Sequence, residues 1–147
     1  MVQSPAETTT SRTQETLQLV KTWYAEFAKG NMQGVLDMVT DDIEWEVPGP
    51  TQVVPWCGKR QGRDQVAEYF ALIDETVKVN FFQLQEIVAQ DDKAMTLNHE
   101  RASNRATNRV YDVPIVHFIV VRDGKIAKFN GFMETNSLVA AFLDRNV

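Results

Sequence analysis

A chain of 147 residues with 44% hydrophobic and 24% charged side chains has the size and composition of one globular domain. Its net charge of −5 excludes the basic footprint of a general nucleic-acid binder, and Arg101, Arg105 and Arg109 are too sparse to supply one. No apolar run approaches the roughly 20 residues of a membrane span, and the opening MVQSPAETTTSRTQ lacks the basic and apolar regions of a signal peptide. With a single cysteine, Cys57, and hence no internal disulfide, the expectation is a soluble cytoplasmic protein.

In chain order, residues 1–12 read as a solvated tail and 13–147 as one domain. Ser11 with Gln14 three residues on forms a capping box. Behind it Leu17, Val20, Tyr24 and Phe27 share a helical face, flanked by Trp23 and Ala28. Gly30 ends that helix, and Asn31 caps a short second one carrying Met32, Val35, Leu36 and Val39. Ile43–Val47 alternates as a strand up to Pro48, with Ile43, Trp45 and Val47 expected inward. Pro48 to Gly62 reads as a loop too rich in aromatic and apolar residues, Trp56 and Cys57 among them, to be an idle linker. Asp64 to Thr76 is a third helix.

From Val77 the pattern turns to β. Residues 77–90 form a strand whose apolar parity switches near Phe82–Gln83, the mark of a bulge. Residues 94–103 form the next, and alternation puts Met95, Leu97, His99, Arg101 and Ser103 on one face. Because that face begins apolar, it is expected to point inward and to become the polar wall of a pocket. Val110–Val121 is a long strand apolar on both sides, Arg122–Lys125 a hairpin turn, Ile126–Met133 the last strand and Ser137–Leu143 a closing helix. The layout is α+β: helices on one side of a curved, mostly antiparallel sheet. A strand apolar on both faces needs cover on both, so a partner subunit is expected over the second face, giving a homodimer.

Three segments, VKTWYAEFAKGNMQGVLDMVTDDIEWEVPG, WCGKRQGRDQVAEYFALI and VHFIVVRDGKIAKFNGFMETNSLVAAF, in this order and spacing resemble the SnoaL-like proteins of the nuclear-transport-factor-2-like superfamily. The resemblance covers about Leu17 to Phe142. It implies a cone-shaped half-barrel sheet wrapped around the N-terminal helices and enclosing a cavity. The superfamily includes ketosteroid isomerases, limonene-epoxide hydrolases, polyketide cyclases, dehydratases and non-catalytic binding modules, so fold alone narrows function little. The ketosteroid isomerase base falls at Val47, its acid donor at Val116 and its tyrosine at Trp23, with Tyr24 next door. The epoxide hydrolase arginine falls on Arg101, but its aspartates fall on Ser103 and Gly131. Glu134 stands where many cyclase-type relatives carry aspartate.

The expected catalytic residues are His99, which titrates near neutrality, and Arg101, which needs an anion or a polarised oxygen if withdrawn from water. Glu46 joins them if a bulge before Pro48 turns it inward. Ligand contacts are expected from Trp23, Tyr24, Trp45, Trp56, Ser103, Phe118, Phe129 and Met133, a mainly apolar lining with few polar groups. His117 has the opposite parity to Phe118 and is expected to face a dimer interface. Cys57 lacks an activating neighbour, and two histidines on opposite faces give no metal spacing, so neither metal nor cofactor is expected. The reading is acid–base chemistry of the isomerase, cyclase, dehydratase or hydrolase type on a hydrophobic oxygen-bearing molecule. The alternatives are a non-catalytic carrier of an apolar ligand and a dimeric protein-interaction module.

Overall fold

The computed structural model describes residues 5–143, with side chains from Ser11 onward. The order is α1 (Pro5–Ala28), α2 (Met32–Asp37), β1 (Val39–Val47), β2 (Gly58–Gln61), α3 (Arg63–Thr76), β3 (Val77–Gln90), β4 (Lys93–Asn104), β5 (Val110–Arg122), β6 (Lys125–Met133) and α4 (Thr135–Phe142). All six strands join one sheet in the order β2-β1-β6-β5-β4-β3. Every pairing is antiparallel except β1 with β6, which is parallel. The sheet is curled but not closed; β2 and β3 are its edges. The α+β architecture is the expected one.

Two elements differ from the sequence reading. Helix α1 begins at Pro5, well before Ser11, so it runs through most of the stretch read as a tail; residues 1–4 lie outside the described residues. Polar contacts that periodicity does not register secure its middle turns against the β3–β4 turn. Thr16 Oγ1 donates to the Asp91 carbonyl at 2.6 Å and the Asp91 N–H donates to Thr13 Oγ1 at 2.8 Å. Strand β2 lies inside the stretch read as loop. It forms because its backbone pairs with β1, Trp45 opposite Arg60, and its own sequence carries little β signal.

The helices cover one face of the sheet, α1 packing on β3 and β4, α3 on β1 and α4 on β5. Val20, Trp23, Ile43, Trp45, Ile119, Ile126, Phe129 and Leu138 fill the space between as a buried core. Aromatic rings dominate it. Trp45 stacks on Phe129 with centroids 3.9 Å apart and Trp23 meets both edge-on. Strand β3 carries register shifts between Val79 and Phe81 and between Leu84 and Glu86, two bulges where the parity switch announced one. They bend the outer end of the sheet.

Candidate functional site on the inner face of the sheet

Burial along β4 alternates so that Ala94, Thr96, Asn98, Ala102 and Asn104 are buried, with Glu100 in the same series. This is the face turned to the helices. Across β5 it continues as Tyr111, Val113, Ile115, His117 and Ile119, and across β6 as Phe129, Gly131 and Met133. His117 sits directly between Thr96 and Gly131 in register.

A chain of hydrogen bonds runs over this face. The Asn98 Nδ2 group donates to Thr96 Oγ1 at 2.9 Å and to the Ile115 carbonyl at 3.3 Å. Asn98 Nδ2, which can only donate, also stands 3.4 Å from His117 Nδ1, and this assigns Nδ1 the acceptor role. The Tyr24 hydroxyl then donates to Nδ1 at 2.5 Å and accepts from the Thr96 hydroxyl at 2.7 Å, an assignment that leaves the imidazole proton on Nε2. Burial pushes the His117 pKa down to about 3 and the Tyr24 hydroxyl well above its usual range, so both stay neutral at pH 7. The ring packs on Phe129 at 4.5 Å and lies nearly parallel to Phe82 at 6.3 Å. Opposite it, Gly131 has no side chain to cover the ring edge. A Cβ there would lie 3.5 Å from His117 Cδ2 and 3.3 Å from Phe129 Cε1.

Glu100 lies two positions beyond Asn98 on the same face. Desolvation raises its pKa, which the neighbouring Tyr111 hydroxyl only partly offsets. The same carboxylate helps hold the Tyr69 and Tyr111 hydroxyls up, after the larger effect of their own burial. Four residues of strand separate Glu100 from Thr96, about 13 Å along the sheet. Phe82, in register with Glu100 and stacked toward His117, is 39% exposed and marks where this face opens to solvent. Seven buried side-chain polar atoms among the described residues have no partner, and three of them lie on the helix side of the sheet: Asn98 Oδ1, Trp45 Nε1 and Trp56 Nε1. Unsatisfied interior groups of this kind are uncommon and call for an occupant.

The structure inverts the face expected for β4. His99, Arg101 and Ser103 point away from the helices, as does Phe118, which pairs with the exposed Met95. His99 Nε2 and Arg101, the latter at 3.3 Å, both meet the exposed Asp112 carboxylate on that outer surface. The apolar start of the strand misled the reading. Met95 and Leu97 face outward on a sheet surface no helix covers, whereas the inner face takes small and polar residues to fit the Tyr24 network. The expectation that His117 faces outward is corrected for the same reason. Glu46 is half-buried on the outer face, in register with Lys59 and Asn130. Trp23 is core, its Nε1 donating to the Val35 carbonyl at 3.1 Å. Tyr24, Trp45, Trp56, Phe129 and Met133 do lie on the helix side, Met133 only partly buried.

Sequence reasoning missed Glu100, Asn98, Thr96 and His117. The available signal was the polar series Thr96, Asn98, Glu100 framed by Ala94 and Ala102, a pattern that suits close helix packing better than solvent. Glu134 is occupied as the N-cap of α4, accepting from the Asn136 and Ser137 N–H groups. Two recesses lie elsewhere. One, of about 400 Å³, is lined by Arg109, Val110, Ala140 and Ala141. The other, of about 570 Å³, lies between the Arg12–Leu19 stretch of α1 and the turns at Asp92 and Asp123. Among the described residues no helix is long and apolar enough to cross a membrane.

Comparison with known proteins places this geometry. No curated protein matches the chain. Among solved structures, an NTF2-like protein from Burkholderia xenovorans LB400 is 28% identical, with a TM-score of 0.80 over 89% of this chain and 98% of that one. A proposed polyketide cyclase from Xanthomonas campestris pv. campestris is 20% identical, with a TM-score of 0.73 over 90% and 99%. TerC, co-crystallized with polyporic acid, is 18% identical, with a TM-score of 0.74 over 87% and 98%. The last two likenesses speak for the fold. The family model of the SnoaL-like domain matches residues 20–129, and the chain belongs to that family.

Proposed function

We propose that the protein is a small-molecule enzyme of the isomerase or cyclase type that moves a proton next to a carbonyl group, using Glu100 and His117. The observation that carries this reading is the Asn98–Thr96–Tyr24–His117 chain, in which the donor Asn98 Nδ2 facing Nδ1 supports a neutral imidazole with its N–H on Nε2. A neutral imidazole with so low a pKa is a poor base but a good hydrogen-bond donor to an oxygen that gains charge. Glu100 has the complementary property. A carboxylate made more basic by burial is suited to take a proton from carbon near neutral pH. In its ionised form Glu100 takes a proton from a carbon conjugated with the carbonyl, the electron pair moves through the conjugated system onto the carbonyl oxygen, and His117 Nε2–H holds that oxygen at the other end. The proton returns at another carbon in an isomerisation; in a cyclisation the enolate carbon attacks a second carbonyl, the first carbonyl re-forms, and the proton held by Glu100 passes to the new alkoxide.

The aromatic surroundings favour a hydrophobic, oxygen-bearing substrate, in keeping with the polyporic acid with which TerC was co-crystallized. The step needs no cofactor, and the buried, unpaired Cys57 suits a reducing cytoplasm. The test is exchange of α- and γ-protons for deuterium in D2O across a panel of aryl ketones and enones, followed by NMR. The wild-type chain is expected to accelerate exchange, and His117→Gln and Glu100→Gln to remove most of the acceleration. A folded wild-type protein without exchange on any member, or variants as fast as wild type, would overturn the reading.

The working form we propose is a homodimer joined through the outer sheet face. Val88 is 68% exposed there, Met95 49% and Phe132 46%, a continuous apolar surface beside the His99–Asp112–Arg101 cluster. Sedimentation is expected to give about twice the chain mass of 16.7 kDa, and a Met95→Glu, Phe132→Glu double variant to give the single mass. A monomeric wild type would refute this.

A further inference from the structure

Asn98 is fully buried, and its amide is oriented by its own contacts. Only a nitrogen can face the Ile115 carbonyl, so Nδ2 is fixed on the side of Thr96, Ile115 and His117. Oδ1 is therefore turned away from that network, and it has no partner. It stands between the two groups of the proposed proton transfer, since Asn98 occupies the inner-face position between Thr96, bonded through Tyr24 to His117, and Glu100. A buried carbonyl oxygen costs free energy until something donates to it. Leucine or valine at this position would avoid that cost, and the Nδ2 donors alone do not require an oxygen on the other end.

We infer that Asn98 Oδ1 is a specificity-determining acceptor for a hydroxyl of the substrate. The substrate is then a hydroxylated aryl or conjugated ketone, its carbonyl at His117 Nε2 and its ring against Phe82. This inference rests on the proton-transfer reading and adds a requirement to it: a second oxygen, bearing hydrogen, at some distance from the reacting carbonyl. The exposed, near-parallel Phe82 ring beside His117 supplies the flat surface for a conjugated system. A site built to pair with a hydroxyl discriminates strongly against an analogue without the donor, because the buried acceptor is then left empty.

The probes are 6-hydroxy-1-tetralone, 6-methoxy-1-tetralone and 1-tetralone, whose binding to the full chain is read by quenching of tryptophan fluorescence. The hydroxy compound is expected to bind about tenfold or more tighter than the methoxy compound. Asn98→Leu is expected to abolish this preference. Asn98→Gln, which keeps both an amide nitrogen for the Ile115 carbonyl and an acceptor oxygen and so guards against simple misfolding of the leucine variant, is expected to keep it. Equal binding of the hydroxy and methoxy compounds by wild type, the result if water alone satisfies Oδ1, would overturn the inference. So would a preference that survives in folded Asn98→Leu. His117→Gln separates the two proposals. Loss of exchange with the hydroxyl preference intact supports both, whereas unchanged exchange with the preference intact removes the proton-transfer reading and leaves the Asn98 contact standing.

Discussion

The neutral, buried His117 makes a quantitative demand on stability against pH. In the unfolded chain the imidazole titrates near 6.5 and in the folded chain near 3, so between these values the unfolded state binds more protons. Stability therefore falls as pH falls through this window, at up to about 1.4 kcal/mol per pH unit. From pH 6.5 to 4.5 the loss integrates to about 2 kcal/mol, and the ring's partial exposure sets a lower end of about 1 kcal/mol. Glu100 acts in the opposite sense over part of the same range. Its raised pKa makes the folded state the better proton binder above pH 4.5, so its contribution fades as pH rises. Comparison with His117→Gln cancels that term, because glutamine accepts from Tyr24 but does not titrate. Urea unfolding of both proteins at pH 6.5, 5.5 and 4.5 measures the difference. The wild type is expected to lose about 1–2 kcal/mol more than the variant over this range, about 2–8 °C in Tm for a domain of this size. Parallel stability curves, within about 0.3 kcal/mol, would show that His117 is not held neutral by burial and would remove the basis for its role as a neutral donor.

Four further outcomes follow from the same geometry. Tyr24→Phe leaves His117 Nδ1 and the Thr96 hydroxyl without their common partner and is expected to cost about 1–3 kcal/mol in urea unfolding, with slower exchange because the tautomer is no longer fixed. The exchange rate per substrate concentration is expected to fall as pH drops through the Glu100 pKa, at a midpoint above the ordinary 4.5. That limb should vanish in the residual rate of Glu100→Gln. His99→Ala, on the outer face beside Asp112, is expected to keep the full exchange rate. A loss in a folded, dimeric preparation would contradict the placement of the site. Gly49→Ala would put a Cβ 2.5 Å from Cys57 Sγ in a buried corner. It is expected to lower stability by about 1–3 kcal/mol, with partial recovery on adding Cys57→Ala.

What the chain itself determined is the list of elements and their partners in sequence. The helical spacing of Val20, Trp23, Tyr24 and Phe27, the Asn31 cap, the hairpin at Asp123–Gly124 and the order of the three family-like segments all depend on neighbours a few residues apart, so they are legible one stretch at a time. The inward placement of Trp45 and Phe129 was legible too, because one flank of each strand was clearly polar. The site was not. On β4, Met95 and Leu97 say inside by their hydrophobicity, yet they lie on a sheet face that no helix covers. Thr96, Asn98 and Glu100 say outside by their polarity, yet they lie on the face turned to the helices, where Tyr24 meets Thr96, the Ile115 carbonyl takes Asn98 and Tyr111 meets Glu100. Alternation fixes which residues share a face; it does not fix which face the helices take. Only the tertiary structure, by setting α1 against β3 and β4, decided that, and with it turned Asn98 and Glu100, rather than His99 and Arg101, toward the helices.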